Sequence, residues 1–220
     1  MSHVAPLFVR LILAGSLALT FLPCAAADDA AAPALEIDGN AAPALHSEEY
    51  AVLNTVLRHG LPPDTRRIVI EATTVCDRDT LARLRKDPAT AGKLDLTAEL
   101  VADFAEVNAT PVAIERRFDI AAEYTLLNRR ELDALFQKNG WQGFFDRYAG
   151  TPGVLRLSRV GFDPATRQAL VLVEQLCGSE CGAGRLVRLE RSEDETWRVL
   201  DTIVVWMATR ENLGKTSGAH

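Results

Sequence analysis

The densest alternation of apolar and polar positions runs from residue 154 to 207. Its period of two predicts four successive β-strands, over residues 155–162, 169–176, 186–191 and 197–207. Residues 163–166 (DPAT) turn the first into the second, with proline at the second turn position. The second strand is almost wholly apolar, which predicts a central strand covered on both faces. A cysteine-glycine loop over residues 177–184 (CGSECGAG) joins it to the third, and residues 192–196 turn the third into the fourth.

Upstream the period changes to that of helices. Tyr50, Leu53, Val56 and Leu57 share one helical face, with Ser47 as the expected cap and Gly60 and Pro62-Pro63 as the stop. Residues 67–75 (RIVIEATTV) are β-branched and predict a strand; residues 80–86 predict a short helix. A further helix is expected over 96–108, capped by Asp95 or Thr97, with Leu100, Phe104 and Val107 inward. Residues 111–127 are ambiguous and read as extended pieces. Asn128, with Glu131 three residues on and Leu127 able to staple onto Leu132, starts a helix that Asn139-Gly140 ends. Residues 141–148 (WQGFFDRY) read as an aromatic cluster under a loop. Helices first and sequential strands later predict an α+β fold: an antiparallel sheet with a C-terminal four-strand meander and N-terminal helices packed on one face.

The chain ends divide the 220 residues further. Residues 1–27 read as a signal peptide: Arg10 is the charge, residues 11–22 (LILAGSLALTFL) the apolar core, and Ala25-Ala26-Ala27 the cleavage site. That core is well short of the about 20 residues a spanning helix needs, so no membrane span is expected in the mature chain. Lipidation of Cys24 is the alternative, but Pro23 just before the cut fits a lipoprotein site poorly. The expected location is periplasmic or secreted. Residues 28–46, rich in Ala and Pro with a repeated AAPAL, read as a linker; 47–207 as a single domain; 208–220 as a flexible tail. Without Arg10 the balance is 23 basic against 30 acidic residues, a net charge of -7. A nucleic-acid binder would need a basic face instead.

Candidate chemistry is sparse. Removal or lipidation of Cys24 leaves Cys76, Cys177 and Cys181. The short spacing favours a Cys177–Cys181 disulfide with Cys76 buried and free, although a bridge from Cys76 is open on sequence grounds. The C-x-x-C lead into a helix that a redox dithiol needs is absent, and three cysteines with no nearby histidine make a weak zinc set, so no metal and no cofactor are expected. His59 ends the first helix, where a protonated ring suits the dipole. A histidine-based hydrolase is therefore poorly supported, and no catalytic residue is assigned. Gly178, Gly182 and Gly184 fit a hairpin better than a phosphate loop. Glu71 and Glu174 stand out because each interrupts an apolar strand. Arg159, Arg185 and Arg188 lie on the neighbouring strands, for a cross-strand ion pair or a polar ligand in a sheet pocket, with Arg159 and Arg188 as the expected site arginines.

The stretches Ser158-Arg-Val-Gly-Phe162, Ala169-Leu-Val-Leu-Val173, CGxxCGxG and Trp197-x-Val199 resemble the C-terminal half of uncharacterised exported bacterial proteins. That resemblance covers about the last 60 residues and implies export but no known activity. The closing Trp-x-Val hairpin also resembles the end of the nuclear-transport-factor-2-like cone fold; the early strand at 67–75 departs from a simple cone. The chain reads as a non-catalytic binding or interaction domain for a small ligand or a protein. A carboxylate enzyme with a pocket around Glu174, or a thiol redox protein using Cys177 and Cys181, are the alternatives.

Overall fold

The computed structural model describes residues 44–86 and 92–208. The expected signal peptide, most of the linker and the tail beyond Ala208 lie outside the described residues. Helix α1 (Ser47–Gly60) comes first and buries Tyr50, Val52, Leu53, Val56 and Leu57, the face its apolar spacing predicts. His46, not Ser47, takes the cap position, and its backbone N–H donates to Glu49 Oε2 at 2.9 Å. Strand β1 (Arg67–Glu71) follows, buried from Ile68 onward. It is shorter than expected because Ala72, Thr74 and Val75 turn their N–H groups to Leu127, Val112 and Leu157 in an irregular extension. Helix α2 (Arg78–Lys86) and helix α3 (Ala98–Val107) come next. Thr97 caps α3 by accepting from Leu100 N–H at 3.1 Å, and its hydroxyl donates to Asp163 Oδ2 at 2.7 Å, joining the helix start to the meander.

Strand β2 (Glu123–Leu127) leads into helix α4 (Arg129–Arg147). The Asn128–Glu131 capping box is made in both directions, at 2.9 and 2.8 Å. The stop at Asn139-Gly140 is a kink, with Gly140 at φ 57, and the aromatic segment expected as a loop resumes the helix beyond it. Phe136, Trp141, Phe144 and Tyr148 pack their rings together along this helix, an apolar surface that a loop would leave unburied.

Strands β3 (Val154–Leu157), β4 (Gly161–Asp163), β5 (Gln168–Gly178), β6 (Cys181–Arg191) and β7 (Trp197–Ala208) complete one sheet. Its order is β2-β1-β3-β5-β6-β7, with β4 also paired to β5. The class is α+β, and the meander is antiparallel as expected. Two details of the expectation are corrected. β1 pairs in parallel with both β2 and β3, so the sheet is mixed. Helices separate those strands in sequence, and a strand–helix–strand run returns parallel. Helices also cover both faces rather than one. Leu155, Leu157, Ala169, Val171, Val187 and Leu189 face α1. Leu170, Leu172 and Leu186 face α2 and α3, while Val69 and Val154 face α4. Successive residues of β5 alternate between the two cores, which is why it reads as continuously apolar.

The expected single strand at 155–162 is two strands divided by a bulge. Gly161 stands opposite Leu170, but Leu157 stands opposite Val173. Four steps along β4–β3 therefore match three along β5, the signature of one extra residue. The bulge is tied on several sides. Arg159 N–H donates to Asn108 Oδ1 at 2.8 Å, and Asn108 Nδ2 donates to the Arg159 carbonyl at 3.1 Å. The Ser158 hydroxyl accepts from Leu172 N–H at 2.8 Å. Glu49, only 1% exposed, accepts from Arg159 Nε and Nη2 at 3.1 and 3.0 Å and from Val160 N–H at 3.3 Å.

Replacing Glu49 by alanine strands a mostly buried guanidinium and should destabilise the fold by about 3 kcal/mol in urea unfolding. Glu48→Ala removes only an exposed pair with Arg191 and should cost less than about 1 kcal/mol. Equal losses would show that the bulge does not depend on the Glu49 carboxylate.

Candidate functional site

On the face that carries α2, α3 and α4, one polar row crosses the sheet. Arg156 of β3 stands opposite Glu174 of β5, Glu174 opposite Gly184 of β6, and Gly184 opposite Trp206 of β7. Arg156 Nη1 donates to Glu174 Oε2 and Arg156 Nε to Glu71 Oε2, each at 2.9 Å. Trp206 Nε1–H donates to Glu174 Oε1 at 2.9 Å. Both carboxylates are buried, Glu71 at 6% and Glu174 at 3% exposed. A cavity of about 380 Å³ opens beside the row, lined by Arg156, Glu174 and Trp206 and by Val75, Cys76, Asp77 and Asp79 at the start of α2. Burial pushes the Glu174 carboxyl above its ordinary value; Arg156 and the Trp206 N–H oppose this, and the charges of Asp77 and Glu71 reinforce it.

The structure thus brings Glu71 and Glu174 together on an arginine, but not on either arginine expected. Arg159 sits in the bulge and pairs with Glu49. Arg188 pairs with Asp201 of β7 at 2.6 Å and with Asp95 at 3.7 Å. It stands opposite Leu170, four residues along β6 from Gly184, or about 13 Å away at ~3.3 Å per residue. Arg156 is the partner that sequence reasoning missed. If the β4–β5 register continued without the bulge, Glu174 would face Leu157. The extra residue moves Arg156 into place.

The cysteine-glycine segment is mostly strand. β5 runs to Gly178 and β6 starts at Cys181, so only Ser179 and Glu180 form the turn, and the Cys177–Cys181 disulfide clamps it. Cys76, expected to be buried and free, is half-exposed and carries no free thiol. Gly184 has a second task. A Cβ there would lie 2.1 Å from Trp206 Nε1, and one at Gly182 would lie 3.3 Å from the far edge of the same indole. The bare backbone of β6 is the slot through which Trp206 reaches Glu174. Among the described residues, no group of His, Cys, Asp and Glu is placed to hold a metal ion.

A larger cavity than the one beside Glu174 lies on the opposite face of the sheet. It is a groove of about 470 Å³ beneath the last turn of α1. Val56, Leu57 and Leu61 form one wall, and Leu155, Val173 and Val187 form its floor on the sheet. The polar groups that line it are His59, Gln175, Arg185 and Thr202. Gln175 Nε2 is occupied by the Pro152 carbonyl at 2.9 Å. No helix among the described residues is long and apolar enough to cross a membrane. No family model, curated protein or solved structure matches the chain.

Two outcomes test the polar row. Gly184→Ala should drive the indole from its slot and cost about 2 kcal/mol, with a rise in tryptophan quenching by acrylamide that is absent once Trp206 is replaced by Phe. Unchanged quenching would show that the indole does not need the slot. The raised Glu174 value also sets a pH dependence. A carboxyl that holds its proton more tightly when folded stabilises fully below its ordinary value of 4.5, and this contribution is lost as pH rises through the folded value. The stability advantage of wild type over Glu174→Gln should therefore shrink as pH rises from 4.5, read from urea midpoints. An advantage that grows with pH would show that Arg156 and Trp206 outweigh burial.

Proposed function

We propose that the protein is a non-catalytic, exported binding domain whose small ligand lies in the groove beneath the end of α1. The observation that carries this is the groove itself: about 470 Å³, apolar on its wall and floor, with few polar groups at its margin. Ligand sites in small domains have this composition, with volumes of about 300–1,000 Å³. The polar margin is not assembled into a catalytic relay. Gln175 is engaged by the backbone, and no hydrogen bond joins His59 to Thr202 among the described residues. Export rests on the signal-like residues 1–27.

A second reading makes the Glu174 pocket a carboxylate-based catalytic site. It is favoured by the open cavity beside Glu174 and by the raised proton affinity a general acid uses. Against it, both Glu174 oxygens are already bonded, one to Arg156 and one to Trp206. The Cys177–Cys181 bridge spans a two-residue turn between strands, which supports a clamp over a redox dithiol.

The neutral dye Nile red tests the groove. It should bind wild type saturably, with a fluorescence gain. Thr202→Trp, which adds a ring at the groove margin from an exposed strand position, should weaken binding by about tenfold or more. Glu174→Gln, on the other face, should leave it unchanged. No saturable binding to folded wild type, or equal binding by Thr202→Trp, would overturn the reading.

A further inference from the structure

We infer that the groove's ligand is a small amphipathic anion, a straight-chain carboxylate whose head pairs with Arg185; this rests on the binding role proposed for the groove. Arg185 lies on β6 between Val173 of β5 and Val204 of β7, on the face that turns toward α1. It is half-buried, and it lines the groove. Its side chain makes no hydrogen bond or ion pair among the described residues. The contrast with other arginines of the sheet is plain. Arg156 spans two carboxylates, Arg159 holds Glu49, Arg188 holds Asp201 and Arg198 holds Glu190.

A guanidinium between two valines, at the edge of an apolar groove and without a counterion, is complementary to a carboxylate. Its fork of donors can take both oxygens of one head group. The opposite side of the groove carries the His59 side chain but also a helix C-terminus, which disfavours an anion. There α1 ends in carbonyl groups at His59 and Gly60, the negative end of its dipole. The head is therefore placed on the sheet side at Arg185, and the alkyl chain runs along Val173, Val187 and Leu155 beneath α1. Leu61 and Val56 close over it.

Isothermal titration of decanoate, decanol and decyltrimethylammonium into wild type, Arg185→Gln and Arg185→Lys tests this. Wild type should bind decanoate more tightly than either of the others. Arg185→Gln should lose about tenfold or more in decanoate affinity, the size of one charge-assisted hydrogen bond, and keep its decanol affinity within about twofold. Arg185→Lys should retain most of the preference for decanoate, since it keeps the charge. If decanol binds but Arg185→Gln leaves decanoate unchanged, the head-group assignment fails and the groove reading stands. A cation bound as tightly as decanoate overturns the assignment in the same way. If no chain binds folded wild type, the carboxylate ligand falls, and Nile red binding then tells whether the groove reading falls with it.

Discussion

Glu49, on the first turn of α1, reaches across to Arg159 and Val160, the residues at which β3–β4 runs one longer than β5. A carboxylate at this depth is tolerated only when its lone pairs are filled, and here His46, Arg159 and Val160 fill them. Asn108, at the end of α3, closes the same bulge from the other side of the sheet. Three elements that are distant in sequence thus hold one irregularity. Because side chains alternate along a strand, a one-residue shift exchanges the two faces. Without this bulge β3 would present Leu157, not Arg156, to Glu174, and the two faces would not carry what they carry.

The faces differ in what they can offer a ligand. On the α2–α3–α4 face the polar groups answer one another: Arg156 bridges two acids, and Trp206 completes Glu174 through a slot that only glycine leaves open. Such a row ties β1, β3, β5 and β7 together across the sheet. Burial raises the proton affinity of Glu174, and Arg156 and the Trp206 N–H oppose it, so these two partners are what make the buried acid tolerable in the brace. On the α1 face the situation is reversed. Most of that face is sealed by α1, but the helix stops at Gly60 and leaves Val173 half-buried at the groove. There the cation Arg185 is left without an answering charge among the described residues. A satisfied network favours stability, and an unsatisfied one beside an apolar hollow favours recognition.

Local rules made much of the fold legible. The Asn128–Glu131 box, the Thr97 cap, the inward face of α1 and the two-sided burial of β5 all follow from residues within a few positions of one another. The site was half legible. Glu71 and Glu174 declared themselves as acids inside apolar strands, and they do meet on one arginine. The identity of that arginine did not show, because Arg156 and Arg159 differ in parity and only the register decides between them. Trp206 was hidden for a similar reason, since its reach depends on the absence of a side chain at Gly184, across the strand pair.

The sequence by itself determined most of the helices and strands, the helix start at Asn128, and that β5 is central. These depend on periodicity and on capping groups three or four residues apart. The tertiary structure alone decided the parallel pairing of β1, the partner of Glu174, and the hollow that exposes Arg185. Each of these depends on contacts such as Glu49 with Arg159, 110 residues apart, which no local pattern encodes. They exist only once packing has fixed the register, and register is a property of the assembled sheet.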